Sequence, residues 1–151
     1  MSDLHPSIVR FEGKKIHGLL AAGVTMADPG PACAALWKKL IGMVPLKGLE
    51  VYGISLNMGP QVFDYFAGAP LAKAASLPEN LLVQDIPAGM YARCPIPNME
   101  EMRAAYTLLY QENWAAGHTE YTVNMLRPCF ELYPADYAGG LFYVFAPVDE
   151  K

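Results

Sequence analysis

The order strand, helix, strand, strand is written twice in this chain, and that repetition limits the possible folds more than any single motif does. In the first half, residues 7–24 read as strand-like stretches, with Ile8, Val9 and Phe11 and then an apolar run over 16–24, punctuated by Gly13, Gly18 and Gly23. After Asp28-Pro29-Gly30-Pro31, the apolar positions Cys33, Leu36, Trp37, Leu40 and Ile41 follow the three-four spacing of one helix face. Gly42, Pro45 and Gly48 stop that helix. Two further strands, over 49–56 and 62–71, are joined by the turn Asn57-Met58-Gly59-Pro60.

The same grammar returns in the second half. Residues 81–96 are strand-like around Pro87-Ala88-Gly89, and Asn98 then reads as an N-cap, with Glu101 completing a capping-box pattern. Met102, Ala105, Tyr106, Leu109 and Tyr110 line one face of the helix, which fades at Trp114 and ends near Gly117. Residues 121–125, 129–133 and 141–148 are the closing strands, with a turn over 134–140. Sliding one half on the other by about 69 residues sets Trp37 on Tyr106, Leu40 on Leu109, Gly48 on Gly117 and Tyr52 on Tyr121, and a slide of about 77 sets Ala69-Pro70 on Ala146-Pro147. The expected class is α+β: one domain over 1–151 made of two β-α-β-β units, about 7–71 and 81–148, joined by a linker over 72–80 and related by a pseudo-twofold axis. Each unit is too short for a comfortable core of its own, and packing the two together accounts for a composition that is 53% hydrophobic.

Composition narrows the function classes. The net charge is −4, and the 11 Lys and Arg are scattered rather than clustered, which argues against direct nucleic-acid binding, an affinity built on phosphate neutralisation. No apolar run approaches the ~20 residues that span a bilayer, and residues 1–10 lack a secretory h-region, so no membrane association and a cytoplasmic location are expected. Cys33, Cys94 and Cys129 form no CxxC and have no His at ligand spacing; they read as reduced, small apolar residues. Neither a metal-ligand pattern nor a glycine-rich phosphate loop is present, so no metal and no cofactor are expected. His17 and His118 have no Ser or Cys partner that spacing identifies, and Asp64, Glu100, Glu101 and Glu120 read as solvated charges or caps.

Glu131 is the sharpest single feature. Alternation along 129–133 puts Cys129, Glu131 and Tyr133 on one strand face and Phe130 and Leu132 on the other. Two outcomes stay open: an exposed Glu on an ordinary half-buried strand, or an acid held among aromatic groups in a cleft. In the second case burial costs several kcal/mol unless the group is hydrogen-bonded or neutralised, which raises its pKa and invites a cationic or proton-donating ligand. Nine Tyr against six Phe is a surplus of polar handles, since a buried Tyr hydroxyl needs a partner. Tyr52, Tyr65, Tyr91, Tyr106, Tyr110, Trp114, Tyr133, Tyr143 and Trp37 are all candidates for walls on which planar or cationic ligands stack, at least half of them expected to be packing residues.

Several segments together resemble the gyrase-inhibitor-like (GyrI-like) small-molecule-binding domain, the effector-binding domain of multidrug-sensing bacterial regulators. Residues 86–92, IPAGMYA, look like its PAG-x-YA strand; 127–133, RPCFELY, fit P-x-FE-x-Y; 141–148 fit the closing strand ending in Pro-Val; and 63–70, FDYFAGAP, fit an FDYEAGVPV-like strand. Two departures stand out. Phe66 replaces a Glu common in relatives, and Arg93-Cys94-Pro95-Ile96-Pro97 replaces the H-x-G that often follows YA. The resemblance implies a central ligand cleft between the halves with Glu131 at its floor, in a freestanding form without a DNA-binding segment.

On that basis the expected function is binding of hydrophobic, aromatic, often cationic small molecules by Glu131, Tyr91, Trp37, Tyr106, Tyr143 and Phe66. An enzymatic alternative, also implied by the resemblance, is hydrolysis of cyclopropane-bearing alkylating compounds. Glu131 would then act on water while Tyr133 or Tyr143 donates to the developing oxyanion. A protein-interaction role such as gyrase inhibition is the third.

Overall fold

A computed structural model describes residues 4–71, 78 and 80–151. The expected linker over 72–80 lies largely outside the described residues. The first half contains β1 (Ser7–Phe11), β2 (Lys14–Thr25), α1 (Gly30–Met43), β3 (Val51–Leu56) and β4 (Val62–Ala69). The second contains β5 (Leu82–Ile86), β6 (Gly89–Ile96), α2 (Met102–Tyr106), α3 (Trp114–His118), β7 (Tyr121–Val123), β8 (Cys129–Tyr133) and β9 (Phe142–Glu150). Pro31 in the first turn of α1 uses a position where a missing N–H costs nothing, and Val44 turns extended just before Pro45 to end the helix.

The second helical segment is less regular than its sequence pattern. No side-chain cap bond forms at Asn98; a 3-10 turn over Met99–Glu101 precedes α2 instead, so the capping box is not made. A π turn over Thr107–Gln111 follows α2. The chain then breaks at Asn113, whose φ of 48° lies in the left-handed region. That strained backbone is held by its own side chain, which donates to Thr122 Oγ1 at 3.0 Å and accepts from the Val123 amide at 3.2 Å.

All strand pairs are antiparallel, in the order β1-β6-β9-β8-β3-β4-β2-β5, with β7 attached to β9. Read outward from the central β8–β3 pair, the two sides match: β8-β9-β6 on one and β3-β4-β2 on the other. The outermost strands are exchanged, since β1 of the first half flanks β6 and β5 of the second flanks β2. Topology therefore makes β8 the counterpart of β3. The 69-residue slide that put Tyr52 on Tyr121 does not carry past the helices, because β7 is an additional strand and β3–β4 match β8–β9.

The sheet is curled into a half-barrel. Inside the curl, Phe11 of β1 and Ile16 and Ile86 from the opposite edge join Tyr52, Ile54, Phe66, Tyr91, Phe130 and Phe145 in one cluster. Phe130 and Phe145 stack at 4.5 Å between centroids, and Phe11 meets Phe130 at 4.9 Å. At one end the β1–β2 and β5–β6 turns touch: Gly13 has φ +86°, and a Cβ there would stand 3.0 Å from the Ala88 amide nitrogen. The other sheet face carries the helices. α1 covers Leu19, Phe63, Tyr65 and Ala67, the α2 segment covers Ala92, Ile96, Val144 and Ala146, and Trp37 packs against both groups.

Candidate functional site

On the helix-covered face the central strands bring together Val51 with Tyr133, Gly53 with Glu131 and Ser55 with Cys129, each pair directly opposite in the β3–β8 register. The alternation expected along β8 is what the structure shows, and of the two outcomes it left open the buried one is realised: Glu131 is 5% exposed.

Three tyrosine hydroxyls donate to the Glu131 carboxylate. Tyr133, two residues along the same strand, reaches Oε1 at 2.8 Å, and Tyr65 of β4 reaches the same oxygen at 3.2 Å. Tyr106, at the end of α2, reaches Oε2 at 2.7 Å. Trp37 of α1 donates its indole N–H to the Tyr65 hydroxyl oxygen at 3.0 Å. Because an indole N–H only donates, the Tyr65 oxygen is the acceptor there and its own proton is turned to the carboxylate. The indole of Trp37 also meets the Tyr133 ring edge-on at 6.1 Å, and Tyr106 stacks with Tyr110 at 6.3 Å.

A glycine makes this packing possible. A Cβ at position 53 would stand 2.0 Å from the Tyr65 hydroxyl oxygen and 2.9 Å from Glu131 Oε1. The Tyr65 ring thus crosses over bare backbone to reach the carboxylate.

Burial is the largest influence on the Glu131 carboxyl and pushes its pKa above the ordinary value, while the hydrogen bonds from Tyr106, Tyr133 and Tyr65 pull the other way. Among the described residues no ion pair includes Glu131. In turn burial, with the carboxylate charge second, drives the Tyr65, Tyr106 and Tyr133 hydroxyls far above their usual range, so they act as donors. Cys33 and Cys129 flank the site, and burial pushes both thiols up to about 11, which keeps them protonated at neutral pH. Among the described residues no group of three or more His, Cys, Asp or Glu could hold a metal ion.

Of the residues singled out from sequence, the fold brings Glu131, Tyr133, Trp37 and Tyr106 together. It puts Phe66, Tyr91 and Tyr143 on the opposite sheet face, because each sits at a register position facing into the curl. Phe66 is paired with Ile54 and 2% exposed. The Tyr91 hydroxyl is spent on the Pro87 carbonyl at 2.7 Å, and its ring packs on Phe130 at 5.3 Å. Tyr143 is paired with Leu132, with the Arg93 guanidinium 5.4 Å above its ring. The Glu131–Tyr143 arrangement considered for hydrolysis is therefore not assembled. Gly53 was missed. Its signal is a glycine in mid-strand, which marks a close approach. Tyr65 stood only among a broad set of aromatics, and the β3–β4 hairpin register is what aims it at Glu131.

A family model described as Cass2, integron-associated effector binding protein, matches residues 28–146. The chain belongs to this family. No curated protein matches it. Among solved structures, this Cass2 chain is similar to the integron cassette protein VCH_CASS2 from the mobile metagenome of Vibrio cholerae, at TM-score 0.67 and 20% identity over 98% of this chain and 100% of that one. It is similar to SAV2435, solved bound to tetraphenylphosphonium, at TM-score 0.70 and 11% identity over 96% of this chain and 94% of the other. The C-terminal domain of EcmrR matches at TM-score 0.63 and 13% identity over 99% of this chain and 100% of that domain. These neighbours share the fold, and the expected likeness to effector-binding domains holds. No described helix is long and apolar enough to cross a membrane.

Proposed function

We propose that this Cass2 protein binds aromatic, lipophilic cations, with Glu131 supplying the counter-charge. Trp37, Tyr106 and Tyr133 supply the surrounding rings. The observation that carries this reading is a carboxylate 5% exposed and hydrogen-bonded by three hydroxyls, yet in no ion pair among the described residues. Hydroxyl donors spread the charge without cancelling it, so a desolvated carboxylate of this kind gains from a cation. Aromatic rings around it add cation–π attraction of roughly 0.5–2 kcal/mol each. The tetraphenylphosphonium bound to SAV2435 supports the same ligand class on the same fold.

The test is a titration of the protein with a lipophilic cationic dye, followed by quenching of tryptophan fluorescence. Saturable quenching is expected, and Glu131→Gln should weaken it tenfold or more, by roughly the value of a charge-assisted contact. Unchanged affinity in that variant removes Glu131 from the site. Because only the ionised carboxylate attracts a cation, affinity should fall as the pH drops through the raised pKa of Glu131.

A further inference from the structure

The hydrogen bonds around Glu131 are unevenly divided between its two oxygens, and that division says something about the ligand. A carboxylate offers about four lone-pair positions, two on each oxygen. Oε1 receives two hydroxyls, from Tyr65 at 3.2 Å and Tyr133 at 2.8 Å, and is filled. Oε2 receives one, from Tyr106 at 2.7 Å. The filled oxygen is also the fixed one. Its donors stand on β4 and β8 in the middle of the sheet, and Trp37 holds the Tyr65 hydroxyl in its donating sense. Among the described residues, a ligand therefore meets a carboxylate with one acceptor position left open, on the α2 side. A buried acceptor left unpaired is costly, and a charge-assisted hydrogen bond to it is worth more than a neutral one.

We infer that the site selects cations carrying an N–H, protonated amines whose N–H donates to Oε2, over fully substituted onium ions of the same shape. This rests on the proposed binding of lipophilic cations and adds a hydrogen-bond requirement to it. A quaternary ammonium or phosphonium can satisfy the charge. It cannot fill the acceptor position, and its bulk keeps Oε2 from any other donor.

The experiment compares matched cations on the wild-type chain at neutral pH, where all are positively charged. Imipramine is set against its N-methyl quaternary salt, and a dimethylaminoalkyl acridine against its trimethylammonium analogue, each by calorimetry. The tertiary ammonium in each pair is expected to bind about tenfold or more tightly. Equal affinity, or tighter binding of the quaternary members, overturns this inference and leaves the lipophilic-cation reading standing. No binding by any of the four overturns both.

Tyr106→Phe gives a second readout that lost packing alone would not produce. Removing that hydroxyl takes away the protein's own donor to Oε2, so the single N–H of imipramine should count for more, and its advantage over the quaternary salt should widen relative to the wild type. An unchanged ratio overturns the assignment to Oε2.

Discussion

Gly53→Ala adds a single methyl group beneath the site, and the structure says where it lands. The new Cβ would stand 2.0 Å from the Tyr65 hydroxyl oxygen, 2.7 Å from its Cζ and 2.9 Å from Glu131 Oε1. An ordinary carbon contact is about 3.5 Å, so the hydroxyl must retreat by about 1.5 Å. That breaks the 3.2 Å bond to Glu131 and the 3.0 Å bond from Trp37. Two hydrogen bonds at about 1 kcal/mol each and overpacking of about 1–3 kcal/mol are offset by about 0.5–1 kcal/mol of lost unfolded-state entropy. The net expectation is a loss of about 2–4 kcal/mol, seen as a lower urea midpoint with an unchanged slope by circular dichroism. Tyr65→Phe removes the atom that the methyl group meets first. In the cycle Gly53→Ala, Tyr65→Phe and their combination, the double variant should therefore be more stable than additivity by at least about 1 kcal/mol. A Gly53→Ala midpoint at or above the wild type, or an additive cycle, would refute the packing argument.

Three further outcomes follow from the same geometry. Phe66→Glu restores the acid of the resembling family but puts it inside the curl beside Ile54, so it should cost several kcal/mol and leave cation affinity no higher; a stable variant that binds cations more tightly would contradict the face assignment. Because burial holds the Glu131 carboxyl above its ordinary value, the unfolded chain ionises first as pH rises. Wild-type stability should fall between the ordinary and the raised value and then level off. Glu131→Gln should lack that fall, and parallel melting profiles against pH would exclude it. Trp37→Phe removes the donor that orients Tyr65, so the pH at which cation affinity is half lost should move upward; a midpoint that stays put would show that the indole acts by packing alone.

Much of this site was legible because strand alternation is a local rule. Cys129, Glu131 and Tyr133 share a face whatever else the chain does, and Tyr106 follows from helical spacing. Alternation does not say which face meets the helices, however, and in a curled sheet both faces are buried. Phe66, Tyr91 and Tyr143 carry the family-like motifs, yet they point into the curl, a distinction set by pairing across the sheet and not by neighbours in sequence. The role of Tyr65 is non-local for the same reason: it depends on Gly53 one strand away and on Trp37 from a helix. The helix after Asn98 is more broken than its sequence pattern because that apolar spacing survives a π turn that shifts the hydrogen bonds, and because Asn113 spends its side chain on Thr122 and Val123 of β7 rather than on helix continuation.

The exchange of β1 and β5 between the halves bears on how the chain can be divided. Each half carries the edge strand that completes the other's sheet, and the β3–β8 seam beneath Glu131 needs both. Expressed as two polypeptides divided between β4 and β5, neither fragment can finish its sheet alone, but together they hold every strand pairing of the intact chain. Such a pair is a natural starting point for fragment complementation. Glu131 and Tyr133 lie on one fragment and Tyr65 and Trp37 on the other, so a ligand gripping the carboxylate would also tighten the association of the two.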